Sequence, residues 1–292
     1  MAEPLFTGAC TALITPFLDG KVNYPMMEQL LRRQVQSGIK AVVIAGTTGE
    51  SPTLSDHEKI ELFRRCKEYV GDSCKIIAGT GTNATEHAVA LSQAAEDVGV
   101  DAILVVTPYY NKATPEGLFS HYLSIAHAVN LPMILYNVPS RTGVDIPISV
   151  YQRLARVPNI VGVKEASSDI TKIARIRNDC GDDFAVWAGN DDQIIPVLSL
   201  GGSGVIYVLS NIFPAETNTM CHAALMGDFH TATNMQLHFL PVIDLLFCEV
   251  NPIPVKYALQ CIGYDCGECR LPLCKLTKEH QHEITKYFSQ TS

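Results

Sequence analysis

The sequence predicts an α/β fold, a closed (β/α)8 barrel with a helical C-terminal extension. Three observations lead there. Eight short apolar runs alternate with amphipathic helical segments over the first two thirds of the 292 residues. Most of those runs are continuously apolar, as strands buried on both faces are. Past Pro214 the alternation stops and only helical segments follow. Strand-then-helix repetition implies right-handed crossovers and a parallel sheet, and eight units suit closure. An open doubly wound sheet is the competing architecture. It would ordinarily carry Gly-x-Gly-x-x-Gly between its first strand and first helix, and that pattern is missing there.

The eight strands are expected at 10–14, 41–45, 75–78, 102–106, 133–136, 160–163, 184–188 and 205–208. Helices are expected between them at 26–37, 56–69, 85–98, 115–128, 147–155, 170–178 and 192–200. The first has Leu30, Leu31 and Val35 at helical spacing, and the second has Ser55 or Asp56 placed to cap its start. Gly79-Thr80-Gly81-Thr82-Asn83 lacks a P-loop lysine and reads as a tight turn after the third strand. Four more helices are expected at 215–226, 229–247, 254–262 and 278–288. The chain thus divides into a barrel, 1–213, and a helical region packed on it, 214–292. No linker-like Ser/Pro/Gly stretch separates the two.

Composition narrows the function. A formal charge of −8 without a basic stretch argues against nucleic acid and anionic membranes as partners. No apolar run approaches the roughly 20 residues that span a bilayer, and the N-terminus carries no basic head with an apolar segment. A soluble cytoplasmic protein is expected. Its ten cysteines then read as reduced thiols. Cys261, Cys266, Cys269 and Cys274 form one cluster around a Cys-x-x-Cys. Four thiolates hold zinc or an iron–sulfur cluster in some proteins, but the outer spacings here form no second Cys-x-x-Cys. Free thiols or a redox-sensitive loop is the preferred reading, and no metal is expected.

The chemistry is expected at the C-terminal ends of the strands, which converge on one barrel mouth. Lys164 follows the apolar run Ile160-Val161-Gly162-Val163. Burial favours a neutral amine, and a neutral amine adds to a carbonyl to form a Schiff base. Strand two ends in Gly46-Thr47-Thr48-Gly49-Glu50, strand four in Thr107-Pro108-Tyr109-Tyr110-Asn111, and strand five in Tyr136-Asn137-Val138-Pro139-Ser140-Arg141-Thr142-Gly143. These ends bring phenols, hydroxyls and a guanidinium to the amine. Each has a plainer reading as a turn, as packing or as surface.

The same motifs resemble the dihydrodipicolinate synthase family, class I aldolase-like lyases related to N-acetylneuraminate lyase. The resemblance runs from about Phe6 to beyond Leu273 and includes Ala12-Leu13-Ile14-Thr15-Pro16-Phe17 and Asn251-Pro252-Ile253-Pro254-Val255-Lys256. It implies a carbon–oxygen lyase of lysine (diaminopimelate) biosynthesis that condenses pyruvate with L-aspartate-4-semialdehyde to 4-hydroxy-tetrahydrodipicolinate. It implies catalytic roles for Lys164, Tyr136, Thr47 and Tyr110, with Tyr110 reaching into a neighbouring subunit's site. Thr48 would hold the pyruvate carboxylate and Arg141 that of the semialdehyde, while Gly189 and Ile206 would line the pyruvate pocket. Glu50 and Asn251 read as structural. The lysine is the electron sink, so no cofactor is implied, and the expected assembly is a homotetramer, a dimer of dimers. Sister activities on this scaffold are a sialic-acid lyase and a 2-keto-3-deoxy sugar acid aldolase; a non-catalytic binding homologue is a remote alternative.

A regulatory pocket in lysine-inhibited members maps to Ser51, Pro52, Asp56, Lys59, Asn83, His87 and Tyr109. Regulated relatives tend to carry histidines in place of Asp56 and Lys59, and a glutamate in place of His87. A cationic Lys59 opposes the ammonium groups of lysine, and the missing carboxylate removes a partner. Feedback by L-lysine is therefore expected to be weak or absent.

Overall fold

The computed structural model describes residues 3–290. Eight parallel strands close into a barrel. They are β1 (Gly8–Ala12), β2 (Ala41–Ile44), β3 (Lys75–Gly79), β4 (Ala102–Val106), β5 (Met133–Asn137), β6 (Ile160–Glu165), β7 (Ala185–Ala188) and β8 (Gly204–Tyr207). Each pairs with its neighbours in sequence, and β1 pairs with both β2 and β8. The doubly wound alternative is thereby excluded.

Alternate residues divide the strands between two apolar layers. Cys10, Val43, Ile77, Leu104, Ile134 and Ile206 fill the interior, while their sequence neighbours pack under the helices. Phe6 stacks on Trp187 with ring centroids 4.9 Å apart, and the Trp187 indole donates to the Phe6 carbonyl. The interior is a packed core, as barrels of this width require.

Helix boundaries follow local chemistry. Helix Asp56–Val70 opens on a capping box, with the Ser55 hydroxyl accepting from the Glu58 N–H and the Glu58 carboxylate accepting from the Ser55 N–H. Helix Pro115–Ala128 starts with proline in its first turn and Thr114 as cap. The first strand begins two residues earlier than the sequence suggests. Leu13 and Ile14 are buried beyond its end, and Leu13 N–H still bonds to Val43. The sequence reading also passed over a small hairpin, Phe17–Leu18 with Lys21–Val22, and a one-turn helix, Pro139–Thr142.

After β8 come helices Pro214–Leu225, Phe229–Leu246, Ile253–Cys261 and Lys278–Gln290. Phe213 joins them to the barrel, with its ring 5.2 Å from Phe239 and 6.2 Å from Phe288. Among the described residues, no helix is long and apolar enough to cross a membrane. The four clustered cysteines do not converge. Cys266, Cys269 and Cys274 line one surface pocket, while Cys261 sits on its helix with its thiol 3.9 Å from Thr285. Among the described residues, no three His, Cys, Asp or Glu are grouped to hold a metal ion.

One irregularity sets the direction of the key lysine. Met133 pairs with Ile160, but Ile134 pairs with Gly162, so β6 carries one extra residue against β5. Val161 packs toward the interior and Val163 toward the helices. The bulge restores the alternation so that Lys164 falls opposite Tyr136 and Trp187, both interior residues. Gly162 makes this possible, because a Cβ there would lie 2.2 Å from the Ala185 carbonyl oxygen and 2.8 Å from the Trp187 ring. Gly162→Ala should therefore cost about 2–3 kcal/mol in chemical denaturation. In the folded fraction that remains, Lys164 should lose reactivity toward small carbonyl compounds that the wild-type barrel admits.

Candidate active site

Lys164 is 5% exposed, and its Nζ lies 4.3 Å from the centroid of the Tyr136 ring. The amine acts electrostatically on Cys10 inside the barrel and on Asp191 at its rim. Its register opposite Tyr136 and Trp187 turns it into the barrel interior at the C-terminal end of β6.

The loop after β2 brings two threonines to the same mouth. It is bracketed by Ala45 (φ 53°) and Glu50 (φ 58°), two non-glycine residues in the left-handed region. Such conformations persist only where surrounding contacts enforce them. Here the contacts are Ser51 N–H to the Gly46 carbonyl and Glu50 N–H to the Thr47 carbonyl. The Glu50 carboxylate is also buried against the Lys256 ammonium at 2.6 Å and accepts from the Arg270 N–H at 2.8 Å. Thr47 is half-buried and Thr48 buried. The adjacent loop must come equally close. A Cβ at Gly79 would lie 2.3 Å from the Ala45 carbonyl oxygen, and one at Gly81 would lie 2.3 Å from Val106 N.

Arg141 is exposed at the rim on the one-turn helix Pro139–Thr142, and its Nη2 donates to the Asn251 carbonyl at 3.4 Å. The base of that turn is fixed by Thr107, whose hydroxyl donates to Thr142 at 3.0 Å. Gly189 N–H donates to the Glu165 carbonyl, and a Cβ at Gly189 would lie 2.6 Å from that of Ala166. Bare backbone thus forms this wall. Ile206 is fully buried in the interior layer. Tyr110 stands apart, 90% exposed and at φ 74°. Within one chain its ring touches none of this machinery.

A cavity of about 540 Å3 is lined by Thr47, Tyr136 and Arg141 together with Ser51, Pro52, Asp56, Lys59, Asn83, His87 and Tyr109. All seven residues of the expected regulatory pocket therefore open onto the same cavity as three of the expected active-site residues. Lys164, Thr48, Tyr110, Gly189 and Ile206 lie outside its lining. Asp56 is already engaged, with His87 Nε2 2.8 Å from its carboxylate. Burial lowers the pKa of Lys59, partly offset by Asp56.

Sequence reasoning passed over Asp191 and read Asn251 as structural only. Asn251 donates from Nδ2 to Thr48 Oγ1 at 3.0 Å across 203 positions of sequence, which leaves no local signal. Asp191 is fully buried, accepting from the N–H groups of Val208 and Leu209. Its signal was available, since Gly189-Asn190-Asp191 closes a barrel strand as the other functional motifs do. Burial pushes the Asp191 carboxyl up to about 7 against those two N–H groups and Lys164. The folded state thus prefers its protonated form. That preference contributes fully below the ordinary carboxylate range and is lost as pH rises through 7. Urea denaturation from pH 4 to 8 should show the wild type losing stability relative to Asp191→Asn across this window.

A closed barrel whose strand ends carry a buried amine against a phenol ring, with the threonine and arginine loops at the same end, has the form of a (β/α)8 enzyme of the Schiff-base lyase type. The chain belongs to the dihydrodipicolinate synthetase family, whose model matches residues 5–291. It is 45% identical over 272 residues to a 4-hydroxy-tetrahydrodipicolinate synthase of Clostridium perfringens, covering 93% of this chain and 94% of the relative. Its fold superimposes on the crystal structure of dihydrodipicolinate synthase from Aquifex aeolicus with a TM-score of 0.96, at 39% identity and 98% coverage of both chains. The structure of the Cyanidioschyzon merolae enzyme with lysine bound is similarly close, with a TM-score of 0.95 and 38% identity over 99% of this chain and 98% of that one.

Proposed function

We propose that this chain condenses pyruvate with L-aspartate-4-semialdehyde to give 4-hydroxy-tetrahydrodipicolinate, with Lys164 forming the covalent link to pyruvate. The observation that carries the reading is the amine of Lys164, held inside the barrel against the Tyr136 ring. The amine adds to the keto carbon of pyruvate and water leaves, giving an imine. Loss of a methyl proton converts the imine to an enamine. The enamine carbon attacks the aldehyde of the semialdehyde. The α-amine of that substrate then attacks the imine carbon, the lysine departs, and the ring is closed.

Tyr136, Thr47 and Tyr110 are assigned the proton transfers, since a chain of hydroxyls moves protons without leaving a buried charge. Tyr110 is 90% exposed, so its role requires a second copy of the chain, and a dimer within a tetramer is the assembly proposed. Thr48 and the neighbouring backbone N–H groups receive the pyruvate carboxylate. Arg141 receives the carboxylate of the semialdehyde, which a planar guanidinium fits better than an ammonium. Gly189 leaves room for the keto acid, and Ile206 closes the pocket beneath it. The lysine carries the electron demand of every step, so the scheme uses neither metal nor organic cofactor.

Incubation with pyruvate and borohydride should trap one reduced pyruvate adduct on Lys164, read by peptide mass spectrometry. Lys164→Ala should trap none and lose all measurable synthase activity. An adduct on another lysine, or none in the wild type, would sink the assignment.

L-Lysine is proposed to inhibit weakly or not at all. His87 already occupies the Asp56 carboxylate, and Lys59 brings a like charge toward any ammonium entering the cavity. Synthase assays with millimolar L-lysine should show little change in rate; strong partial inhibition would refute this.

A further inference from the structure

We propose that Asn251 is a positioning residue that fixes both carboxylate-binding groups of this site: it sets the hydrogen-bond polarity of Thr48 and steadies Arg141. The inference rests on the reading above, in which Thr48 receives the pyruvate carboxylate and Arg141 that of the second substrate.

Asn251 lies between helices Phe229–Leu246 and Ile253–Cys261 and is 5% exposed. Its Nδ2 donates to Thr48 Oγ1 at 3.0 Å. Among the described residues, that hydroxyl has no other hydrogen-bond partner. A hydroxyl carries one proton and two acceptor sites. With one acceptor site filled by the amide, the proton turns away from Asn251 and is free for an anionic oxygen. The reverse arrangement would spend the Thr48 proton on Asn251 and present only lone pairs to a carboxylate. The backbone carbonyl of the same residue accepts from Arg141 Nη2 at 3.4 Å. One residue therefore contacts a group from β2's loop and a group from β5's loop. Among the described residues its Oδ1 has no hydrogen-bond partner.

The test compares Asn251→Ala, Asn251→Asp and Thr48→Val, singly and combined. Thermal midpoints and separate KM values for pyruvate and the semialdehyde are read for each. Asp has the shape of Asn but offers only acceptors, so Thr48 must donate to it. The pyruvate KM should rise about tenfold or more for Asp, the scale of a lost charge-assisted hydrogen bond, and less for Ala, which leaves the hydroxyl free to turn. A merely structural role predicts the opposite order, with Asp the milder change. If Asp stays worse than Ala once Thr48 is Val, its charge is the cause and the proposal is overturned.

The Ala arm needs no buried charge and stands if the Asp variant fails to fold. The Thr48→Val and Asn251→Ala losses should not add, the double variant having the pyruvate KM of Thr48→Val alone. Additive losses overturn the proposal while leaving the function intact, provided the wild type still traps pyruvate on Lys164. Failure of the wild type to trap pyruvate overturns both.

Discussion

A single extra residue in one strand governs what this barrel can do. Strict alternation along β6 would direct Val163 inward and Lys164 toward the helices, since neighbouring residues of a strand face opposite ways. The bulge at Gly162 shifts the pairing against β5 by one position and exchanges the two. It is tolerated only because that position lacks a side chain, with Ala185 and Trp187 pressed against its backbone. An aliphatic residue thus joins the outer layer, and an amine is placed in the barrel interior beside an aromatic face. Bulges of this kind re-aim side chains next to functional sites.

The second constraint comes from outside the barrel. The threonine loop after β2 adopts two left-handed non-glycine conformations, and its own short hydrogen bonds are too few to enforce them. The remaining restraint comes from the far end of the chain. Lys256 and the Arg270 N–H hold Glu50, Arg270 grips Glu58 through two contacts of 2.6 and 2.9 Å, and Asn251 reaches Thr48. Lys256 and Arg270 also sit over the Phe17 ring at 4.3 Å each. A buried ion pair adds little net stability once desolvation is counted. Its value here is conformational, because removing either partner leaves an uncompensated charge beneath the loop.

Much of this was legible in the linear sequence. The continuous apolar runs gave the strands, because both faces of a barrel strand are buried and need no polar alternation. The motifs ending in Thr47–Thr48, Tyr136, Arg141 and Lys164 were visible because each site residue lies just past an apolar run. Three things escaped. The bulge escaped because a glycine among β-branched residues looks the same whether or not the pairing slips. The bounds of β1 escaped because Leu13 and Ile14 are as apolar as the strand they follow and equally buried, though they lie beyond its end. The Asn251–Thr48 contact escaped because it joins positions 203 apart, and no local pattern encodes such a meeting.

The clamp on the threonine loop has a consequence for biosynthesis. A ribosome makes all eight strands before it reaches Asn251, Lys256 and Arg270. Every strand of the sheet therefore leaves the ribosome while the loop after β2 still lacks its clamp, the threonines without Asn251 and Glu50 without its cation. The order of synthesis thus leaves the restraint on that loop to the last fifth of the polypeptide.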